Sequence, residues 1–124
     1  MAESSSQDIQ NIWGILIPIL PGRFRPIILN KTTFTFGRLP TCDFVASKQK
    51  DELSEVKFMA VSKTHFIISN SDERTFIEDQ SLCGTYINGQ KVGKGHTIEI
   101  QEGAIISLFE ESFKIFRFMK VRKD

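Results

Sequence analysis

The sequence predicts an all-β protein in which many short strands form a two-sheet β-sandwich. Apolar and polar residues alternate over short runs, and turn signals separate these runs at short intervals. Eleven of the 124 residues are phenylalanine, an aromatic content that suits a core filled from two inner faces. No segment of ordinary helical length has a convincing apolar repeat of about 3.6 residues. These three observations favour a β-sandwich.

The first predicted strand, Ile12–Leu20, pairs with Arg25–Leu29 in a hairpin across the turn signal Pro21-Gly22. Pro18 has no backbone N–H to donate, so it belongs at a sheet edge or at the end of the strand. The apolar residues that alternate along one face of this strand are Trp13, Ile15, Ile17 and Ile19.

The next predicted strand, Thr33–Phe36, has both aromatics on one face and both threonines on the other, and Gly37-Arg38 ends it. A short strand at Phe44-Val45 follows. The polar segment 46–60 predicts a long loop with room for one helical turn around Glu52–Val56. A loop of this length in a small domain is usually functional or mobile.

The C-terminal half predicts a series of strands joined by tight turns. Asn88-Gly89 is the strongest two-residue hairpin signal in the chain, and Asn70-Ser71-Asp72 predicts another turn. Alternation fails at Ile115-Phe116, which indicates burial on both faces. The predicted strands are His65–Ser69, Arg74–Glu78, Thr85–Ile87, Gln90–Val92, Thr97–Ile100, Ala104–Phe109 and Phe113–Met119.

Length and patterning predict a single folded domain. Residues 1–11 form a polar tail, which we expect to be disordered, residues 12–120 form the domain, and residues 121–124 are its end or the start of a linker. The tail has no features of a secretory signal, and the apolar run 12–20 is too short to cross a membrane. We therefore expect an intracellular protein without membrane contact.

Charge and cysteine content exclude several functions. The net charge of +1 lacks the basic stripe expected of a nucleic-acid-binding protein. Cys42 and Cys83 have no metal-ligand spacing, so we expect free thiols in a reducing compartment, with no metal and no cofactor. A small nucleic-acid-binding β domain is a third alternative, and it predicts affinity that falls steeply with salt.

Three segments at predicted strand ends carry groups that bind anions: 36–38, 62–65 and 79–89. The guanidinium of Arg38 offers a planar set of donors that matches phosphate oxygens, and the hydroxyl and backbone N–H groups around Ser62 can complete a small anion site. Loops cluster at the ends of a sandwich, so these segments can converge. Catalysis is not expected, because Ser62 and His65 would face opposite sides of a continuous strand and Asp79 completes no triad.

These motifs, in this order, resemble the forkhead-associated (FHA) domain over about residues 13–119. The resembling segments are Phe36-Gly37-Arg38, Ser62-Lys63-Thr64-His65 and Gly84-Thr85-Tyr86-Ile87-Asn88-Gly89. The sequence is particularly similar to the N-terminal FHA domain of DNA-damage checkpoint kinases, with which it shares Ile12-Trp13-Gly14, Cys42-Asp43-Phe44 and Ile77-Glu78-Asp79. The resemblance implies an FHA/SMAD-like sandwich whose loops at one end bind a phosphothreonine peptide.

The resemblance also implies residue roles. Arg38, Ser62 and Lys63 would bind the phosphate, and Leu82 and Cys83 would contact the peptide. The residues expected to support the site structurally are Gly37, His65, Gly84, Thr85 and Asn88. Among them, Gly37 would let the backbone turn so that Arg38 points at the ligand, and His65 and Asn88 would fix the loops through hydrogen bonds.

Two positions depart from the family pattern. Checkpoint kinases usually have an asparagine before Gly84-Thr85, whose amide grips the peptide backbone, whereas this chain has Cys83, and a thiol is a weak donor and acceptor. Leu82 stands where a small or polar residue is common. We therefore predict weaker phosphothreonine binding than in relatives, or a contribution from apolar contacts at Leu82.

The function implied by the resemblance is phosphothreonine-dependent recruitment of partner proteins in DNA-damage checkpoint signalling, in the nucleus and without enzymatic activity. A kinase domain, if there is one, lies outside this chain, and phosphorylation-dependent self-association of such a longer protein is an option. The alternative is a β-sandwich interaction domain that binds partners without phosphate, for which Leu82 and Cys83 are the best argument.

Overall fold

The structure is a computed structural model that describes residues 11–20 and 23–121. In this part of the chain, eleven strands form two packed sheets, and there is one short helix. The predicted all-β sandwich is confirmed. The strands are β1 (Gly14–Pro18), β2 (Ile27–Leu29), β3 (Thr33–Gly37), β4 (Phe44–Val45), β5 (Phe66–Ser71), β6 (Arg74–Asp79), β7 (Thr85–Ile87), β8 (Gln90–Lys91), β9 (Thr97–Ile100), β10 (Ile105–Leu108) and β11 (Lys114–Lys120). The helix is α1 (Glu55–Ala60).

One sheet has the strand order β2-β1-β11-β10-β7-β8 and the other has the order β4-β3-β5-β6-β9. The pairing of β1 with β2 is antiparallel, as the predicted hairpin requires. Its predicted turn, Pro21-Gly22, lies outside the described residues, as does nearly all of the predicted polar tail.

The apolar face predicted for the first strand, which carries Ile15 and Ile17, is the outer face of β1. Leu16 is fully buried, whereas Ile17 is 42% exposed. The register with β11 explains this, because Leu16 lies opposite the buried Phe118 and Ile17 lies opposite the exposed Arg117. Residues opposite one another in a ladder share a face of the sheet, so the register decides which of two apolar faces enters the core.

The core between the sheets combines aliphatic side chains with phenylalanines whose rings pack against one another. The ring of Phe36 on β3 stacks on Phe66 at 4.7 Å and on Phe44 at 5.1 Å, and Phe116 meets it edge-on at 6.0 Å. The predicted inward face of Thr33–Phe36 is thereby confirmed. Ile115 and Phe116 are both fully buried, as predicted, because the register between β10 and β11 shifts at Ile106/Ser107 and breaks the alternation.

The segment 46–60, predicted as a long loop, packs against the core and carries α1. The helical turn was predicted around residues 52–56, whereas α1 begins at Glu55. Ser54 caps the helix by accepting a hydrogen bond from Lys57 N at 3.1 Å. Before it, the buried Asp51 carboxylate accepts from Ser47 N at 2.7 Å, and burial raises the pKa of Asp51 above its usual value. The side chain of Leu53 is buried beside it.

Two hairpins use two-residue turns with positive φ. Asn88 and Gly89 have φ values of 52° and 86°, as their sequence signal predicts. In the β5–β6 hairpin the turn residues are Asp72 and Glu73, with φ values of 52° and 62°, so the predicted turn at 70–72 is shifted towards the C-terminus.

The two ends of the described chain meet at one end of the sandwich. Gly14 pairs with Lys120, and Val121 N donates to Trp13 O at 3.1 Å. The opposite end of the same sheet is where Thr85 pairs with Leu108. Within the described residues, no helix has the length and apolar character needed to cross a membrane.

Candidate functional site

The three segments predicted to bind anions converge on one cleft of about 420 Å³. The cleft lies where β3 ends and where β5 and β7 begin, as expected for loops at one end of a sandwich. Its lining residues are Arg38, Met59, Ala60, Ser62, Lys63, Thr64, Gln80, Leu82, Cys83 and Lys94.

The end of β3 lies directly against the loop that precedes β5. Arg38 N donates to Ser62 O at 3.1 Å, and Leu39 N donates to Lys63 O at 3.1 Å. Gly37 makes this approach possible, because a Cβ atom at that position would lie 2.1 Å from Lys63 O. Its φ is not in the left-handed region, so Gly37 serves close backbone packing rather than the expected turn towards the ligand.

The guanidinium of Arg38 is oriented by the backbone of the neighbouring loop. Its Nε donates to Val61 O, and Val61 is fully buried. The two terminal guanidinium nitrogens have no hydrogen-bond partner among the described residues, and Arg38 lines the cleft. Arg38 therefore keeps two donors for a bidentate anion.

Ser62 is also held by a backbone group of a neighbouring loop, and its hydroxyl proton has no acceptor among the described residues. Its Oγ accepts a hydrogen bond from Leu82 N at 3.0 Å, which joins the loop before β5 to the loop between β6 and β7. The hydroxyl can still donate. Lys63 follows on the cleft rim with an exposed side chain.

His65 is fully buried and fixes the loops that carry Ser62 and Gly84. Its Nδ1 accepts from Ser62 N at 3.0 Å, and its Nε2 donates to Gly84 O at 3.0 Å. Burial lowers the pKa of His65 below its usual 6.5, so the ring is neutral at pH 7. Since Nδ1 bonds the Ser62 amide and not its hydroxyl, the pair is not a nucleophile with its base. The expected role of His65 in fixing the loops agrees with these contacts.

Asp79 organises the remaining loops, a role that the sequence reading missed. Its fully buried carboxylate accepts from Ser81 N at 2.9 Å, Ser81 Oγ at 2.6 Å and Thr85 Oγ1 at 2.9 Å. Its second oxygen accepts from Gly93 N at 3.1 Å. An aspartate two residues before a serine is a signal for such a local turn and could have indicated it.

The predicted supporting residues after Asp79 fall into two groups. Gly84 has φ 109° and donates its N–H to Ser81 Oγ at 2.9 Å, so it and Thr85 shape the cleft loop. Asn88 lies beyond the other end of β7, where its Oδ1 accepts from Ile105 N at 2.9 Å. Asn88 therefore ties the β7–β8 hairpin to β10 and does not touch the cleft loops.

The predicted peptide-contacting residues stand on the rim of the cleft. Leu82 is 77% exposed, and Cys83 carries an exposed free thiol. Met59 of α1 also lines the cleft; it is 60% exposed and was not predicted. The third cation of the cleft, Lys94, was also missed, although a lysine between two glycines after a strand is a signal for an exposed turn.

The cleft is suited to hold an anion. Arg38, Lys63 and Lys94 supply three positive charges, Ser62 supplies a hydroxyl, and no acidic residue is among the described residues that line it. In the same described part, no cluster of His, Cys, Asp and Glu is arranged to hold a metal ion.

Comparison with known proteins gives matches at the level of family, sequence and fold. The FHA domain family model matches residues 34–109. The ovarian-specific serine/threonine-protein kinase Lok of Drosophila melanogaster is 31% identical over 94 residues, which are 73% of this chain and 19% of that kinase. The chain thus spans about a fifth of the length of this relative.

Solved structures share the fold. The refined NMR structure of the FHA1 domain of yeast Rad53 has a TM-score of 0.72 at 24% identity, covering 97% of this chain and 85% of that chain. The N-terminal FHA domain of S. cerevisiae Rad53p in complex with a phosphothreonine peptide has a TM-score of 0.68 at 24% identity, covering 89% of this chain and 94% of that chain.

Proposed function

The chain belongs to the FHA family, as its motifs predict, and on this premise we propose that it binds phosphothreonine peptides and so recruits phosphorylated partner proteins. The proposal assigns the phosphate to Arg38, Ser62 and Lys63, and the peptide chain to Leu82 and Cys83. It assigns no catalytic role to any residue.

The observation that carries the proposal is the convergence of Arg38 and Ser62 on one cleft with their donors free. The guanidinium of Arg38 is oriented by the hydrogen bond from its Nε to Val61 O. The hydroxyl of Ser62 is oriented by the hydrogen bond that it accepts from Leu82 N. Donors that are held in place lose little entropy when the anion binds. A hydrogen bond to a charged group contributes about 1.5–3 kcal/mol.

A second candidate function is phosphate-independent binding of partner proteins. It is favoured by the exposed Leu82 beside Cys83, because neither side chain can grip a peptide backbone as an amide does. In this case the apolar rim, and not the cations, would supply the affinity.

The deciding experiment is a titration with a fluorescent phosphothreonine peptide library, together with unphosphorylated and phosphoserine versions. We expect binding that needs the phosphate and that weakens at least about tenfold in Arg38→Ala. Arg117→Ala is a matched control, because Arg117 is an exposed arginine on β11 outside the cleft. Phosphoserine should bind about fourfold more weakly if the threonine methyl group is buried.

Equal binding with and without phosphate would favour the second candidate, provided that Leu82→Ala then weakens it. No binding to any phosphopeptide would refute the phosphothreonine proposal.

We place this recruitment in DNA-damage checkpoint signalling in the nucleus, on the strength of the resemblance to checkpoint-kinase FHA domains. The relative Lok is a serine/threonine-protein kinase most of whose length lies outside the match. The test is to image a tagged full-length protein in cells before and after DNA damage. Damage-induced nuclear foci that Arg38→Ala abolishes would support this placement, and a location that ignores both damage and Arg38 would contradict it.

A further inference from the structure

The cleft contains a third cation, Lys94, that the proposed phosphate site does not use. Lys94 lies in the loop between β8 and β9 and lines the same cleft as Arg38 and Lys63. Its side chain is exposed, and among the described residues it forms no ion pair. A lysine that lines a binding cleft without a partner in the protein is available to the ligand.

The loop that carries Lys94 is held in place by the backbone and carboxylate of Asp79. Gly93 N donates to Asp79 Oδ2 at 3.1 Å, Gly95 N donates to Asp79 O at 2.6 Å, and Asp79 N donates to His96 O at 3.0 Å. Gly93 and Gly95 have φ values of 99° and 85°, a conformation that glycine adopts without strain. Lys94 is thus presented on a tight, braced turn.

Hydrogen bonds also give the order of the loops around the cleft. Arg38 is bonded to the loop of Ser62, Ser62 is bonded to the loop of Leu82, and that loop is bonded through Asp79 to the loop of Lys94. Arg38 and Lys94 therefore stand at the two ends of a row of four loops. A phosphate held by Arg38 and Ser62 would occupy one end of this row, which would leave Lys94 to a part of the ligand beyond the phosphate.

The charge balance of the cleft leads to the same conclusion. Three positive charges line it, and the net charge of the whole chain is only +1. A phosphothreonine carries a charge of about −1.5 to −2 at pH 7, so about one positive charge stays unmatched. Among the described residues Asp79 forms no ion pair with these cations, because its buried carboxylate faces the N–H and hydroxyl groups of Ser81, Thr85 and Gly93.

We infer that Lys94 is a specificity-determining residue that selects phosphothreonine peptides carrying a second acidic side chain near the phosphothreonine. This inference rests on the proposed function and names the class of peptide that the site prefers. An ion pair between exposed groups changes affinity modestly, by about two- to fivefold, and salt screens it.

The test uses phosphothreonine peptides in pairs that differ only by glutamate or glutamine at one position, moved along both sides of the phosphothreonine. Each pair is titrated against the wild type, Lys94→Gln, Lys94→Glu and the control Lys114→Gln. Lys114 is an exposed lysine at the start of β11 and does not line the cleft, so its variant matches the charge change elsewhere. Thermal unfolding checks that each variant is folded.

We expect the wild type and Lys114→Gln to prefer glutamate at one position by about two- to fivefold. Lys94→Gln should lose this preference and bind the glutamine peptides within about twofold of the wild type, because it removes one of the three cations of the cleft but leaves Arg38, Ser62 and Lys63 in place. Lys94→Glu should disfavour glutamate at the same position, because two negative charges would then face each other. Phosphate-dependent binding with the same glutamate preference in all variants, or with none in the wild type, would overturn the role of Lys94 and leave the proposed function standing. Absence of any phosphate-dependent binding would overturn both.

Discussion

Replacing Gly37 by alanine would put a methyl group where the backbone of the neighbouring loop already lies. The added Cβ would be 2.1 Å from Lys63 O and 2.9 Å from Thr64 Cα. Non-bonded heavy atoms rarely approach below about 3 Å, so the loop would have to move by roughly 1 Å. Because the obstacle is backbone, no change of side-chain rotamer can relieve the clash.

The energetic cost follows from the hydrogen bonds that such a shift would break. Three bonds join β3 and its end to this loop: Arg38 N to Ser62 O at 3.1 Å, Leu39 N to Lys63 O at 3.1 Å and His65 N to Phe36 O at 2.7 Å. Each contributes about 0.5–1.5 kcal/mol, so we expect Gly37→Ala to lower the free energy of unfolding by about 2–4 kcal/mol.

The assay is urea unfolding followed by the fluorescence of the single tryptophan, with two other glycine variants for comparison. In Gly14→Ala the new Cβ would lie 2.7 Å from Phe118 Cε1, a side-chain atom that can shift, so the cost should be smaller, about 1–2 kcal/mol. Gly103→Ala meets nothing within 4 Å but has φ 87°, and should cost about 1 kcal/mol for backbone strain alone.

The result that would refute this reasoning is a Gly37→Ala variant no less stable than Gly103→Ala. It would mean that the two loops can separate without loss of their hydrogen bonds. Phosphopeptide titration of the folded variant adds a second measurement, because a moved loop should misplace Ser62 relative to Arg38 even where the protein survives.

Three further predictions concern Asp79, His65 and Cys83. Asp79→Asn should lose about 2–4 kcal/mol in thermal unfolding, because an amide nitrogen cannot accept from the Ser81 or Gly93 N–H groups; wild-type stability would show that the charge is dispensable. Burial lowers the pKa of His65 in the folded state, so the unfolded chain binds its proton first as the pH falls. The free energy of unfolding should therefore keep the His65 contribution above about pH 6.5 and lose it below, with a flatter profile between pH 8 and 5 in His65→Gln; an NMR titration of the ring with a pKa at or above 6.5 would contradict this. Cys83→Asn should bind phosphothreonine peptides about two- to tenfold more tightly, since an amide can bond the peptide backbone, and unchanged affinity in the same titration would refute a peptide-gripping role at this position.

Local patterns were enough to predict the parts of the fold in which each residue has one clear preference. Phe34 and Phe36 alternate with threonines, so only one face of β3 could enter the core. Asn88-Gly89 can adopt the positive φ values that a two-residue hairpin needs. The convergence of the predicted site followed because its motifs stand at strand ends, and strand ends share an edge of the sandwich.

Contacts between distant residues decided the rest, and no local pattern contains them. Both faces of β1 are apolar, so only its register with β11 selects Leu16 over Ile17. The loop of Lys94 is held by a hydrogen bond from Gly93 N to the Asp79 carboxylate, which joins residues 14 positions apart in the chain. The tight approach of Gly37 to Lys63 is a property of the pair and is not visible at either residue alone.

The hydrogen bond between Val121 N and Trp13 O has a mechanical consequence. β1 begins and its antiparallel partner β11 ends beside this contact. A pulling force applied through the flanking chain would therefore load their paired residues one after another, from Gly14–Lys120 towards Pro18–Phe116. Breaking the hydrogen bonds between two strands one after another needs less force than breaking all of them at once. Tension in a longer protein would therefore begin to open this domain at the end farthest from the cleft, and the loops around Gly84 would be among the last to come under strain.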